Sequence, residues 1–267
     1  MPELPEVEAI RRQLEPHLLN QKIIGFDWIL PRILREGDSA ALVGAQILSV
    51  QRRGKHLIIE TDKPDAMFIH LRMTGTLLWG STTLADRFLR ARILLSNGVA
   101  FYRDIRTLGG IWIRPLASPP WKSLALDPLE AGFDTGYLVG QLAKRHISIK
   151  QALLDQSIIA GIGNIYASEI LFRAGIHPST IASRLGLAQV NKIAEFSNLI
   201  LREAIAASGT TFRDFRLTDG REGAFQDFLR VYGKNGKPCQ TCGELIQRIV
   251  QGQRSTYFCP CCQSSTA

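Results

Sequence analysis

The residues with the clearest chemical potential stand at the start of the chain, where Pro2 and Glu3 follow Met1. An initiator methionine is normally removed when the next residue is small, and proline qualifies. Removal would give Pro2 a free secondary amine, and an α-amino group titrates near ~7.7–8.0, so much of it is uncharged at neutral pH. Such an amine beside a carboxylate can attack an electrophilic carbon and hold it as an iminium. The alternative interpretation is that Pro2 merely starts the chain.

The five cysteines all lie between positions 239 and 262. Cys239 and Cys242 are separated by two residues, and Cys259 and Cys262 repeat that spacing after a further sixteen residues. Two thiolate pairs at this spacing predict a tetrahedral, all-thiolate zinc site that is structural, because it leaves no open position for catalysis. Cys261 is left over, either as a free thiol or as a competitor of Cys262.

A glycine turn, Gly161-Ile162-Gly163-Asn164, opens into a predicted helix. Backbone amides at such a turn can converge on an anion, and the helix N-terminus favours negative charge. Asn164 would then cap the helix or donate to a phosphate. An ordinary glycine turn with an asparagine cap is the alternative.

A second group of candidates is basic or aromatic, and each has a plain structural alternative. The turn 52–56 is suited to phosphate contact, with Lys55 near a reacting centre, or it is a solvated β-turn. His70 follows an apolar run and is either a core residue or a functional one. Met73 is either a core residue or a wedge between bases. In the cysteine module, an exposed arginine such as Arg254 could grip a phosphate.

The elements that must position these residues follow from the pattern of apolar side chains. Apolar residues at helical spacing predict an amphipathic helix over 5–19, so that Pro2 and Glu3 lie at its positively polarised N-terminus. Short stretches rich in β-branched residues predict a sandwich or barrel, with strands at 46–50, 56–61, 66–71, 75–80, 90–96 and 98–103. The pattern turns helical from about 134 to 208, with the clearest helix at 191–207. A hairpin is predicted from 246–250 and 255–258.

Composition limits the partners of the chain. Its 267 residues carry a net charge of +8 with a pI near 9.5, which favours nucleic acid and, second, anionic membranes. It has no apolar run long enough for a membrane span and no apolar block typical of an export signal. We therefore expect a cytoplasmic protein whose clustered cysteines bind metal.

Taken together, these motifs resemble the bacterial formamidopyrimidine-DNA glycosylase family, whose members excise oxidised purines such as 8-oxoguanine. The resemblance runs the length of the chain. Its stretches are 1–8, 53–55, 70–75, 161–169, 231–233 and 253–259. The sister endonuclease VIII group usually has glycine where this chain has Leu4, so Leu4 favours the purine group.

The resemblance implies an α+β fold. It consists of an N-terminal β-sandwich with a flanking helix, over residues 1–130, and a helical helix–two-turn–helix domain over 131–232. A four-cysteine zinc-finger hairpin follows over 233–267. DNA would lie in the cleft between the domains, and we expect a monomer that binds duplex DNA containing oxidised bases or abasic sites.

The resemblance also implies roles for individual residues. The N-terminal amine of Pro2 would attack C1′ of the damaged nucleotide, with Glu3 as general acid/base. Lys55 would assist β-elimination and Arg254 would assist δ-elimination. The residues expected to contact DNA are His70, Met73, Arg106, Lys150, Asn164 and Tyr232, of which Met73 and Arg106 would fill the space left by the extruded nucleotide.

The predicted function is therefore that of a base-excision repair enzyme, a bifunctional DNA glycosylase and abasic-site lyase with one structural zinc. Two alternatives remain: an endonuclease VIII-like enzyme for oxidised pyrimidines, and a catalytically impaired protein that binds damaged DNA on the same scaffold. Three departures from the family pattern affect lesion search. Ile105 replaces a proline or glutamine, Leu108 replaces an aromatic wedge, and Phe88 stands where a DNA-contacting histidine is common.

Overall fold

The computed structural model describes residues 1–80, 84–211 and 223–264. The chain divides into two compact units. The first comprises Met1–Lys122 and Ile205–Gln226, and the second comprises Ser123–Ala204 and Asp227–Ala267.

The first unit is a β-sandwich of two sheets. Its strands are β1 (Ile23–Asp27), β2 (Leu34–Glu36), β3 (Ile47–Arg53), β4 (His56–Thr61), β5 (Asp65–His70), β6 (Gly75–Gly80), β7 (Leu89–Leu95), β8 (Gly98–Asp104) and β9 (Gly110–Pro115). One sheet has the order β1-β7-β8-β6 and the other the order β2-β9-β5-β4-β3. The pairing is antiparallel except between β2 and β9. The six predicted strands are all present, each within three residues of its expected bounds.

Both sheets of the first unit share one apolar core. Residues from the five-stranded sheet, such as Leu57 and Ile69, belong to the same buried cluster as Ile93 and Tyr102 of the four-stranded sheet. Alternating buried and partly buried residues in β7 show one face turned inward, as the period of a strand requires. This shared core confirms the predicted sandwich.

The first unit begins with helix α1, Leu4–Leu18, whose apolar face joins the same core. Pro5 lies in the first turn, where its missing N–H removes no hydrogen bond. Pro16 lies inside the helix but only two residues before its end, so the chain leaves the helix soon afterwards. The helix therefore begins and ends one residue earlier than the predicted 5–19.

The second unit is helical, with a two-stranded hairpin. Its elements are α2 (Thr135–Leu142), α3 (Ile149–Leu154), α4 (Asn164–Ala174), α5 (Leu187–Ala206, whose last two residues fall in the first unit), β10 (Gln247–Gln251) and β11 (Arg254–Phe258). The predicted hairpin and the predicted long helix are both present, and α5 begins four residues earlier than expected. No helix among the described residues is long and apolar enough to cross a membrane. The division at 130 and 232 stays a prediction.

Candidate active site and nucleic-acid interface

Pro2 and Glu3 are buried at the N-terminus of α1, and Glu3 is only 1 % exposed. Glu3 is the N-cap residue of the helix, and it forms a capping box with Glu6: each side chain accepts a hydrogen bond from the backbone N–H of the other. The bond from the Glu3 nitrogen to Glu6 Oε2 is 2.7 Å long. The box satisfies N–H groups that the first helical turn leaves unpaired, and it fixes the carboxylate of Glu3, the residue that follows Pro2.

The second carboxylate oxygen of Glu6 accepts a 2.7 Å hydrogen bond from the backbone N–H of Thr210. Neighbouring Gly209 has a φ of 80°, and a Cβ there would lie 2.9 Å from Glu6 Oε1. The backbone around Gly209 is hydrogen-bonded to the segment 223–226: the nitrogen of Phe225 donates to the Gly209 carbonyl at 3.0 Å. The sequence at 218–224 is polar and rich in glycine, which predicts a loop, but most of this stretch lies outside the described residues.

Lys55 occupies the two-residue turn between β3 and β4. Gly54 supplies the positive φ of 54° that a tight hairpin turn needs at its first central position. Arg52 steadies this turn, because its guanidinium donates to the Gly54 carbonyl and pairs with Glu8 of α1 at 3.3 Å. Lys55 itself is 7 % exposed.

His70 ends β5 and is the cross-strand partner of His56 on β4. Their rings meet edge to face with centroids 4.5 Å apart, and Trp121 covers His56 at 4.7 Å. Burial, followed by the charge of neighbouring groups, lowers the pKa of His56 to about 4 and that of His70 to about 2. His70 is therefore neutral at working pH. Its Nδ1 accepts the backbone N–H of Arg72, so Nε2 carries the proton and is a hydrogen-bond donor.

Two loops, one between β5 and β6 and one between β8 and β9, present three exposed side chains: Met73 on the first, and Arg106 and Leu108 on the second. Met73 is 40 % exposed and Leu108 is 46 % exposed, while Arg106 Nη1 lies 3.2 Å from Met73 Sδ. The fully buried Asp104 organises the second loop. Its carboxylate accepts from Thr74 Oγ1 at 2.5 Å and from the nitrogens of Arg106 and Gly109. The Asp104 carboxylate therefore holds in place the loop that presents Arg106 and Leu108.

In the second unit, Asn164 begins α4 and its side-chain amide donates to the Ser255 carbonyl at 2.9 Å. Ser255 follows Arg254, which is exposed at the start of β11. An asparagine amide has two N–H groups, so a second donor remains for a phosphate. Asn164 thus joins the helix N-terminus to the residue next to Arg254.

Lys150 is 1 % exposed, and its ammonium donates to Ser168 Oγ at 2.6 Å and to the Asn164 carbonyl at 3.2 Å. The direct contact between Lys150 and DNA stays a prediction. The charge lies beneath the first turn of α4, where it adds to the positive potential of the helix N-terminus.

Tyr232 lies on a segment that Glu169 holds. The buried Glu169 carboxylate accepts the backbone N–H groups of Arg230, Val231 and Tyr232 at 2.8, 3.0 and 2.8 Å. Burial raises the pKa of this carboxyl, and the three N–H donors oppose that shift. The Tyr232 ring packs edge to face against Tyr257 of β11, with centroids 5.1 Å apart.

Four cysteines form the metal site. The Sγ atoms of Cys239, Cys242, Cys259 and Cys262 all lie within 4.8 Å of one another. Backbone N–H groups point at two of the sulfurs, Thr241 at Cys239 and Cys262 at Cys259. Four thiolates converging in this way fit one structural zinc ion. Cys261 is exposed and outside this set.

The sequence did not lead us to two buried carboxylates that hold other backbone segments in place, Glu6 and Glu169. Glu6 carried a usable signal, because a glutamate three residues after an acidic N-cap is the pattern of a capping box. Glu169 also carried one, since an acidic residue in the buried face of an apolar helix requires donors. Neither pattern alone could name the distant segment that each carboxylate binds.

Three family profiles match successive parts of the chain. They describe the formamidopyrimidine-DNA glycosylase N-terminal domain over residues 1–111, the H2TH domain of the same enzyme over 124–216, and a zinc finger found in FPG and IleRS over 236–264. The third match agrees with the four-cysteine zinc site.

Whole-length relatives agree with these domains. The chain is 39 % identical over 272 residues to formamidopyrimidine-DNA glycosylase of Desulfitobacterium hafniense, covering 98 % of this chain and 100 % of the relative. It is 40 % identical over 273 residues to the enzyme of Pelotomaculum thermopropionicum, covering 98 % and 99 %.

Solved structures extend the agreement to three dimensions. A Lactococcus lactis FPG mutant in complex with DNA containing Fapy-dG matches with a TM-score of 0.93, 33 % identity and coverage of 99 % of this chain and 100 % of that one. MutM in complex with DNA containing carbocyclic 8-oxo-G matches with a TM-score of 0.92 and 34 % identity over 99 % and 100 %. The chain therefore belongs to the formamidopyrimidine-DNA glycosylase family of base-excision repair enzymes, which combine glycosylase and abasic-site lyase activities.

Proposed function

We propose that this chain removes oxidised purines, such as 8-oxoguanine and formamidopyrimidines, from duplex DNA through the amine of Pro2. The observation that carries the proposal is the buried pairing of Pro2 with Glu3 at the N-terminus of α1. A secondary amine and a carboxylate held side by side are the two groups that covalent chemistry at a sugar carbon requires.

The chemistry proceeds from that amine. Attack at C1′ of the damaged nucleotide forms a bond to the amine as the bond to the base breaks. The sugar ring then opens: the C1′–O4′ bond breaks, O4′ takes a proton, and C1′ becomes a cationic iminium, since a secondary amine cannot form a neutral imine. The cation acidifies the C2′ protons, and loss of one expels the 3′ phosphate by β-elimination. Expulsion of the 5′ phosphate by δ-elimination follows. Glu3 transfers protons at the sugar, Lys55 acts in β-elimination and Arg254 in δ-elimination.

The remaining site residues hold the DNA. His70, Asn164 and Tyr232 bind the backbone, and Lys150 supports Asn164 from beneath. Extrusion of the damaged base costs a few kcal/mol, which is less for a weakened pair. Met73 and Arg106 enter the space that the base leaves, and their exposure suits them to that role.

The direct test is borohydride trapping on a duplex containing 8-oxoguanine. Borohydride reduces the iminium to a stable amine, so protein lacking Met1 should become covalently attached to DNA. A Glu3→Gln variant keeps the amine and is the matched control for proton transfer. Intact mass reports whether Met1 is gone. Normal strand cutting by processed protein without any trapped adduct would exclude the amine mechanism.

A second substrate class has its own support. One matched structure is a complex between wild-type Lactococcus lactis FPG and DNA containing an oxidised pyrimidine, with a TM-score of 0.91 and 33 % identity. Comparing single-turnover excision of 8-oxoguanine with that of thymine glycol separates the two classes. Faster excision of thymine glycol would replace the purine assignment.

We also propose that the protein acts as a monomer in the cytoplasm, where the DNA of its bacterial relatives lies. We further propose that the chain consists of three parts with boundaries at residues 130 and 232. Sedimentation of the protein with and without duplex would test the monomer.

A further inference from the structure

An unusual group of arginines surrounds Phe88 in the first unit. The guanidinium carbons of Arg87, Arg103 and Arg90 lie 4.6, 5.1 and 5.9 Å from the centre of the Phe88 ring. Phe88 immediately precedes β7, and Arg103 on β8 is the cross-strand partner of Leu89. The sandwich therefore brings together charges from two strands on one aromatic ring.

This group, Arg87, Phe88, Arg90 and Arg103, is called the arginine patch. The carboxylate of Asp86 pairs with Arg103 at 2.5 Å, so these residues together keep a net charge of +2. Arginines at such close range repel one another. Contact with the face of an aromatic ring offsets part of that repulsion, since the electron-rich face of the ring attracts cations. A guanidinium over a ring also keeps its in-plane N–H donors for another partner.

The three arginines differ in what their donors already bind. Arg90 is committed to the protein, because it donates to the backbone carbonyls of Asp104, Arg87 and Leu89. Arg103 has its Nε on Asp86. Arg87 is exposed, and its guanidinium lies over the ring of Phe88. Arg87 is therefore the member best placed to bind a ligand, with Arg103 beside it.

The patch is joined to the loop that presents Arg106 and Leu108. The nitrogen of Asp104 donates to the Phe88 carbonyl at 3.0 Å, and Arg90 Nε donates back to the Asp104 carbonyl at 2.9 Å. The Asp104 carboxylate in turn holds the nitrogen of Arg106. A ligand of the patch would therefore lie next to the residues proposed to enter the DNA.

We propose that the arginine patch binds a DNA backbone phosphate close to the extruded nucleotide, with Arg87 as the principal contact. The proposal rests on the proposed function, because only DNA would bring a phosphate to this loop. Phe88 has no hydrogen-bonding group, so its part is to hold the guanidinium groups together. Phosphate contacts carry no sequence information, so the patch contributes equally to duplexes of different base sequence.

The test is the salt dependence of DNA affinity, measured by fluorescence anisotropy with a duplex that carries a stable abasic analogue. Each phosphate neutralised contributes about 0.9 to the slope of log K against log salt. Arg87→Ala should therefore lower the slope by up to about 0.9. Arg87→Lys should retain the slope, because it keeps the charge, and Phe88→Leu should weaken binding while the arginines remain.

The matched control is Arg114→Ala. Arg114 lies on β9 in the other sheet and pairs with Glu36 at 3.2 Å, so its loss removes the same charge away from the patch. Its slope should equal that of the wild type. Melting temperatures show that each variant is folded.

The outcomes separate this proposal from the proposed function. Wild-type protein that neither binds nor cuts damaged duplex would remove the proposed function itself. Wild-type protein that cuts normally, with an Arg87→Ala variant of unchanged slope, would overturn the arginine patch alone. An equal fall in slope for Arg114→Ala would also overturn it, because the effect would then be one of net charge.

Discussion

Glu6 and Thr210 are 204 positions apart in the sequence, yet a 2.7 Å hydrogen bond joins the Thr210 nitrogen to the Glu6 carboxylate. The other oxygen of that carboxylate holds the nitrogen of Glu3. One buried side chain thus fixes both the residue beside Pro2 and the backbone that leads into residues 212–222. Because a carboxylate is held more strongly by two donors than by one, loss of either contact should loosen the other.

Replacement of Gly209 by alanine tests this link from the side of Thr210. The φ of 80° strains any L-residue by roughly 1–2 kcal/mol, and the new Cβ would lie 2.9 Å from Glu6 Oε1. We expect a lower melting temperature and a lower yield of borohydride-trapped DNA. Gly44→Ala is the control, since Gly44 has a φ of 79° and no atom within 4 Å of the added Cβ. Equal trapping by both variants would show that Glu6 does not position Glu3.

Replacement of Asn164 by alanine should weaken binding to every duplex, because it removes a phosphate donor and the bond to Ser255. Asparagine is neutral, so the salt slope should fall less than for Arg254→Ala, where a charge is lost and the fall approaches about 0.9. Anisotropy titrations at several salt concentrations measure both. Identical slopes for the two variants would contradict the assignment of Arg254 as the charged contact.

The histidine pair should make stability depend on pH. The folded pKa of His56, about 4, lies below its ordinary value of 6.5, so the unfolded chain binds more protons than the folded one between these values. The stabilisation is full above about pH 6.5 and is lost as the pH falls towards 4. His56→Phe keeps a ring against Trp121 and should make the fall in melting temperature across that range smaller, leaving the part that His70 contributes. The same substitution at exposed His17 is the control, and a fall in His56→Phe as large as in the wild type would count against the pair.

Removal of zinc should unfold the hairpin of β10 and β11, because metal-binding energy is folding energy in small thiolate sites. Chelation should therefore abolish much of the DNA affinity, which anisotropy measures. Cys262→Ser should lose the metal, whereas Cys261→Ser should retain one zinc per chain by atomic absorption. Loss of zinc from the Cys261 variant would mean that Cys261 is a ligand.

Replacement of Leu108 by phenylalanine should strengthen binding at a lesion. Leu108 is 46 % exposed on the loop that also presents Arg106, and an aromatic ring adds base stacking of about 1–3 kcal/mol that leucine lacks. Affinity for a duplex with an abasic analogue should rise, while affinity for undamaged duplex changes little. Equal gains on both duplexes would indicate that residue 108 does not enter the DNA stack.

Local patterns predicted most of the fold. The strand patterns at 90–96 and 98–103 predicted the two strands of the β7–β8 hairpin, since the period of a strand is a property of neighbouring residues. The order of strands in each sheet could not be read in that way. The parallel pairing of β2 with β9 depends on contacts between residues more than seventy positions apart.

The candidate site divides in the same manner. The cysteine spacing predicted the zinc ligands, because four thiolates on two short turns need only local geometry. The contact of Lys150 with DNA stays a prediction, but nothing local in the sequence reveals that its ammonium is buried under α4. The arginine patch could not be predicted from the sequence either, because Arg103 reaches Phe88 only through the pairing of β7 with β8.

The burial of Pro2 has a practical consequence for anyone who produces this protein in a heterologous host. A purification tag or fusion partner placed ahead of Met1 would block removal of Met1 and so keep the Pro2 nitrogen as an amide. Such a preparation would still fold its finger and hold DNA, yet it would score as inactive in a cleavage screen. Tags that are cut back to leave proline as the first residue avoid that false negative.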